Sequence, residues 1–157
     1  MNRILCLDQS TKITGFCVME NNHYKQSGVI SVPEDDPTMI RLENMNNQLI
    51  KLIDRVKPTW IVFENIQFQR NYATYKTLAQ LQGLIMAYLF HIDCGFTIIE
   101  PTAWKSFCHI TGKKREEQKK NTQKYVEATY GLKVGEDESD AIGIATWAIN
   151  NLEEKAK

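Results

Sequence analysis

Arg3-Ile4-Leu5-Cys6-Leu7-Asp8 and Trp60-Ile61-Val62-Phe63-Glu64 are the two stretches on which the fold turns. Each is a short, almost wholly apolar run that closes on a single acid. Runs of this length and composition read as strands buried on both faces. Between them, Asp36-Pro37 supplies a helix cap and a first-turn proline. Leu42, Met45, Leu49, Leu52, Ile53 and Val56 then recur at helical spacing, until Lys57-Pro58 stops the helix. A strand, a helix and a second strand form the unit that joins parallel neighbours, so the two acids are expected side by side.

Working outward, Ile13 to Met19 and Tyr24 to Val32 are strand candidates, with Asn21-Asn22 as the hairpin turn between them. A long helix is predicted from about Ala73 to His91, and a further strand from Phe96 to Ile99, broken by Glu100-Pro101. The remainder reads as helical: Ala103 to Cys108, Lys114 to Tyr130 and Glu136 to Glu154. The prediction is an α/β domain over residues 1–157. Its sheet is mixed and five-stranded, with three antiparallel strands followed by parallel ones and helices on both faces.

At 157 residues the chain is long enough for a core of its own, and 43% hydrophobic content with 24% charge excludes a disordered class. Formal net charge is zero, so any nucleic-acid surface has to come from local clustering. Apolar runs are too short to span a bilayer and none resembles a signal peptide, which leads us to expect a cytoplasmic protein with no membrane partner. Cys6, Cys17, Cys94 and Cys108 form no CxxC pair and read as reduced, small hydrophobes.

Open α/β sheets bind ligands at the carboxyl ends of their parallel strands, which is where Asp8 and Glu64 fall. Taken alone, each would simply mark the exit of a strand into solvent. Asp137 and Asp140 lie three apart at the start of the last helix, on one face, with Cβ atoms roughly 5–6 Å apart. Acids there also complement the helix dipole, a sufficient reason for either by itself. The stripe Ala141, Ala145, Ala148 and Leu152, flanked by Ile142 and Ile149, would press this acidic turn onto the sheet. Four carboxylates brought together repel by about 3 kcal/mol per pair at 6 Å and an effective dielectric near 20. They call for a cation, and all-oxygen ligands favour Mg2+ first and Mn2+ second. Two ions per site would suit in-line displacement at phosphorus. His23, His91 and His109 are scattered and read as structural or solvent-facing.

Lys105, Lys113, Lys114, Arg115, Lys119, Lys120 and Lys124 stand against only Glu116 and Glu117, a local excess of five positive charges in a neutral chain. Such a field could hold phosphates, or be no more than a solvated helix face. After Glu64, the segment Asn65 to Tyr75 mixes Phe68, Tyr72 and Tyr75 with Gln67 and Arg70. It suits unstacked bases, or a capped loop with its aromatics folded inward. Leu84 to Phe90 is apolar nearly all round, as expected of a helix packed on a second copy.

Four blocks carry a family likeness: Ile4 to Gly15, Ile61 to Glu64, Leu78 to Gly83, and Asp137-Glu-Ser-Asp-Ala-Ile-Gly-Ile-Ala145. Together they resemble the RuvC-like Holliday-junction resolvases, in a short form similar to a bacteriophage (lactococcal phage-like) version. The resemblance implies an RNase H-like fold and a homodimer acting on branched DNA. It makes Asp8, Glu64, Asp137 and Asp140 the metal-binding catalytic acids. Lys105 falls where the family carries a lysine near the active site, and a second such lysine corresponds best to Lys119. Lys113, Lys114, Lys120, Gln67, Phe68 and Arg70 are the further candidates for DNA contact. Two departures stand out. The family's Asp-Pro-Gly is Asp8-Gln9-Ser10 here, and its aromatic wedge position is Gln67, with Phe68 beside it. Two rival readings remain open on the sequence. Leu7 to Gly15 also looks like the first phosphate loop of actin-like sugar kinases or ATPases, although the chain has no internal repeat to supply a second loop. A non-catalytic DNA-binding module on the same fold is the other.

Overall fold

The structure is a computed structural model that describes residues 2–68 and 70–152. Its elements run β1 (Arg3–Asp8), β2 (Ile13–Glu20), β3 (His23–Ser31), α1 (Thr38–Val56), β4 (Trp60–Glu64), α2 (Tyr72–His91), β5 (Gly95–Ile99), α3 (Pro101–Phe107), α4 (Arg115–Tyr130) and α5 (Glu136–Asn151). One five-stranded sheet has the order β3-β2-β1-β4-β5. The pairs β1–β2 and β2–β3 are antiparallel, whereas β1–β4 and β4–β5 are parallel, as expected. At the β2–β3 hairpin both Asn21 (φ 50°) and Asn22 (φ 66°) are left-handed, the backbone that matches the twist of the flanking strands. The expected end of the last helix at Glu154 lies outside the described residues.

The strands sort their side chains by parity. Leu5, Leu7, Ile61 and Phe63 enter one core layer with Leu42, Met45, Leu49, Leu52, Ile53 and Val56 of α1 and Leu81, Ile85 and Leu89 of α2. Ile4, Cys6 and Val62 enter the opposite layer with Trp104 of α3, Val126 of α4 and the α5 residues Ala141, Ile142, Ile144, Ala145 and Ala148. Side chains alternate faces along a strand. Asp8 therefore continues the side of Ile4 and Cys6, and Glu64 the side of Val62. Both acids emerge on the α5 face.

Boundaries differ from expectation where local chemistry was misread. Pro37, at φ −53° and ψ 147°, occupies the cap position of α1, and no side chain caps it. Instead of acting as the cap, Asp36 offers its backbone carbonyl to Arg41 Nη1 at 3.0 Å. The start of α2 falls at Tyr72 because Asn71 Oδ1 accepts from the Thr74 N–H at 3.2 Å, a cap the sequence reading overlooked. Pro101 is the first residue of α3, so that helix begins before Ala103. Burial on α5 exceeds a single stripe: Gly143, Ile144 and Thr146 are buried too, because the helix packs on β1 and β2 with α3 and α4 against it. Among the described residues no helix is long and apolar enough to cross a membrane. Cys6, Cys17 and Cys108 are buried, Cys94 is half-buried, and all four are free thiols.

Gly15 pairs with Asp8 across β1 and β2. A Cβ there would lie 2.0 Å from the carbonyl oxygen of Asp137. The first turn of α5 can sit on the sheet only because residue 15 has no side chain. Gly15→Ala should lower the unfolding free energy by about 2 kcal/mol or more, a typical cost of overpacking, as read by urea denaturation. An unchanged midpoint would contradict this close approach.

Candidate active site

The parallel register of β1 and β4 pairs Leu7 with Phe63, so Asp8 and Glu64 are the next residues outward on adjoining strands. Through Gly15, the Asp8 end of β1 also lies beside the backbone of Asp137. All four acids, Asp8, Glu64, Asp137 and Asp140, are half-buried on this one face. Their neighbours in sequence are engaged by other partners. Ser27 Oγ donates to Glu138 Oε1 at 2.6 Å, and Lys119 Nζ pairs with Glu136 Oε2 at 3.2 Å.

Electrostatics bind the set together. Burial holds the Asp8 carboxyl far above the usual range, and Asp140, Glu64 and Asp137 push it further, with Lys119 opposing. Asp140 is pushed up to about 7 by burial and then by Glu64, against the pull of Lys119 and Lys105. Burial also raises Glu64, opposed by a hydrogen bond from Trp104 and by the charges of Lys105 and Arg115. A dipole contact alone would favour the charged form. The shifts instead report burial first and, for Asp8 and Asp140, the crowding of neighbouring carboxylates. Among the described residues no three acidic, histidine or cysteine side chains are drawn close enough to cage an ion as they stand. Mutual repulsion opposes closer approach of like charges. The donor set is nonetheless all oxygen and ionisable, which fits a hard divalent cation.

Around the acids, the structure sorts the basic candidates. Lys105 is half-buried, with Nζ donating to Gln118 Oε1 at 3.2 Å and lying 5.6 Å from the centre of the Trp104 ring. Lys119 is also half-buried, 19% exposed at its side chain, and its charge reaches Asp8 and Asp140. Lys113 and Lys114 are exposed where the chain enters α4. Lys120 turns into a separate cleft of about 300 Å³ with Gln123, Lys124, Glu127 and Lys133. Gln67, Phe68 and Arg70 are exposed on the segment leaving Glu64, Phe68 by 60%, with its ring edge-on to Tyr75 at 5.5 Å. Phe68 is thus not folded inward. His23, His91 and His109 are all exposed. A larger concavity of about 720 Å³, lined by Asp54, Lys57, Trp60 and Cys94, opens at the amino ends of β4 and β5, the opposite end of the sheet from the acids.

Three contributors were not singled out from sequence. Trp104 is fully buried and its Nε1 donates to Glu64 Oε2 at 2.6 Å. Gln82 Nε2 donates to the Glu64 carbonyl at 3.1 Å. Arg115, counted only within the basic run, acts on Glu64. A buried indole N–H always needs an acceptor, but the identity of an acceptor 40 residues away has no local signal. At the end of the Leu7 to Gly15 stretch, the space beside Gly15 is taken by the Asp137 backbone.

Comparison with known proteins follows the same residues. The family model described as crossover junction endodeoxyribonuclease RuvC matches residues 4–147, a span that includes all four acids. RuvC of Orientia tsutsugamushi (strain Boryong) is 30% identical over 158 residues, covering 97% of this chain and 98% of its own. RuvC of Fusobacterium nucleatum is 28% identical over 160 residues, covering 98% and 83%. Thermus thermophilus RuvC in complex with a Holliday junction substrate superposes with a TM-score of 0.73 at 16% identity, over 94% of this chain and 92% of that one. The yeast mitochondrial Holliday junction resolvase Ydc2 gives 0.64 at 16% identity, over 94% and 78%. At such identities the structural likeness speaks for the fold, which is RNase H-like.

In cation-free protein the sign of the pH effect follows from these shifts. The folded chain keeps a proton on Asp140 up to about pH 7, whereas the ordinary carboxyl value is 3.8. Stability is full below pH ~4 and is lost as pH rises toward 7. In EDTA at pH 8, Asp140→Asn should therefore stabilise the fold by about 2–4 kcal/mol, and at pH 4 by little. Urea denaturation at both pH values checks this. Equal stability of the two proteins at pH 8 would refute the crowding of the acids.

Proposed function

The chain belongs to the RuvC family of crossover junction endodeoxyribonucleases, and from that premise we propose that it is a divalent-metal-dependent, structure-selective endonuclease that resolves Holliday junctions. Forks and flaps are its secondary substrates. The observation that carries the reading is the convergence of Asp8, Glu64, Asp137 and Asp140 at the carboxyl end of β1 and β4, with Asp8, Glu64 and Asp140 raised by burial and Asp8 and Asp140 raised further by neighbouring acids of the set.

In this reading the four acids hold Mg2+, with Mn2+ as a substitute, at two ions per site. A cation bound there supplies Lewis-acid stabilisation of charge at the scissile phosphate and lowers the pKa of the attacking water. The chain's own residues do the rest. Lys105 and Lys119 stand beside the acids, where their ammonium groups offset carboxylate charge and face an incoming phosphate. Lys113 and Lys114 extend that positive surface along the backbone of the DNA, whereas Lys120, in its separate cleft, would meet only a more distant phosphate. Gln67, Phe68 and Arg70 leave the site on one segment, and the exposed Phe68 ring offers a stacking surface to an unpaired base. The second copy is held through α2, whose Leu84 and Phe90 are 41% and 67% exposed although apolar. Two active sites related by symmetry then cut opposed strands. Residues 1–157 act as one nuclease domain.

Purified protein with magnesium and an end-labelled four-way junction tests the reading. Paired symmetric nicks that vanish in EDTA are expected, and no metal-dependent cleavage of junction, fork or duplex would overturn it. Asp8→Asn should reduce cutting by at least a hundredfold, while junction affinity measured by gel shift stays within a few-fold. Affinity should fall with a log–log salt slope near −5, as for about six phosphate contacts. A flat dependence would remove the electrostatic role of the lysines.

A further inference from the structure

We propose that Trp104 is a positioning residue of the acidic site, whose buried indole fixes the Glu64 carboxylate and so decides which of its oxygens is presented to a cation. The proposal rests on the metal-dependent reading above and concerns a side chain outside the four acids. Trp104 Nε1 donates to Glu64 Oε2 at 2.6 Å. An indole has one donor and no acceptor, so its only hydrogen-bonding group is committed to this carboxylate. Among the described residues Oε1 makes no hydrogen bond, which leaves it available to a cation.

The ring itself has no freedom. It is fully buried. It fills a notch in α5 where a Cβ on Gly143 would approach ring carbons to 2.5 Å. Its face also lies under Lys105 Nζ at 5.6 Å, within cation–π range. One rigid side chain of α3, seated on the helix that carries Asp137 and Asp140, thereby grips the acid of β4 by its edge and the nearby ammonium by its face. A purely structural tryptophan would be satisfied by any carbonyl. This one is paired to a carboxylate in a site where charge is already crowded, the pattern of a partner that orients a metal ligand.

The test separates this role from packing. Trp104→Phe keeps an aromatic ring and removes the donor. With folding confirmed by circular dichroism, the magnesium concentration giving half the thermal shift should rise about tenfold, the usual scale for losing a ligand's orienting partner. Glu64→Gln should raise it further, and the double variant should match Glu64→Gln alone, because the indole acts through Glu64. A wild-type magnesium response in Trp104→Phe, or penalties that add in the double variant, would overturn the proposal. If Glu64→Gln leaves the magnesium response unchanged, the acidic-site reading itself fails with it. A second measurement leaves Trp104 in place. In Trp60→Phe/Trp147→Phe protein the sole indole is Trp104. Magnesium should shift its emission, and Glu64→Gln should abolish the shift. Unchanged emission across magnesium concentrations that raise Tm would also count against the role assigned here.

Discussion

Repulsion among four half-buried carboxylates is the constraint to which the rest of this structure answers. Asp8 and Glu64 end neighbouring strands, and the first turns of α5 bring Asp137 and Asp140 to the same face. Such an arrangement costs folding energy, and it persists because the apolar packing beneath it is strong. The α5 helix is buried nearly all round, against β1 and β2 with α3 and α4 on its flanks. Packing of that kind holds the acids in place whether or not their charge is neutralised.

Charge in this neutral chain is separated rather than absent. Acids gather at the sheet end, while Lys105, Arg115 and Lys119 approach from α3 and α4 and offset part of their repulsion. The next lysine along α4, Lys120, looks into a different cleft. The positive charge is therefore graded, from groups that act on the carboxylates to groups exposed to solvent. A summed net charge conceals both populations.

The sheet and the four acids were legible because they follow from local pattern. Parity along Arg3–Asp8 and Trp60–Glu64, the six apolar residues of α1 and the Asn21-Asn22 turn are each encoded within a few residues. Element ends were less legible, since a cap such as Asn71 or a first-turn Pro101 competes with neighbours of similar propensity. Least legible were contacts made by tertiary packing alone. Nothing near Trp104 announces Glu64 as its acceptor, and Gly15 reads as a strand glycine until α5 is laid across it. Arg115 was counted as one charge among seven, because sequence spacing does not say which charge of a basic run comes within reach of a carboxylate.

Gly15 and Gly143 have a joint consequence for how this chain can change over time. The first receives the backbone of α5 at Asp137 and the second receives the Trp104 ring six residues along the same helix. Two notches at fixed separation act as a ratchet: the helix cannot slide by a turn without both engagements failing together. A change of length is far easier to absorb in connections such as residues 33–37 and 109–114, which lie between elements. The spacing from Asp137 to Gly143 is the part of the chain that has no length to give.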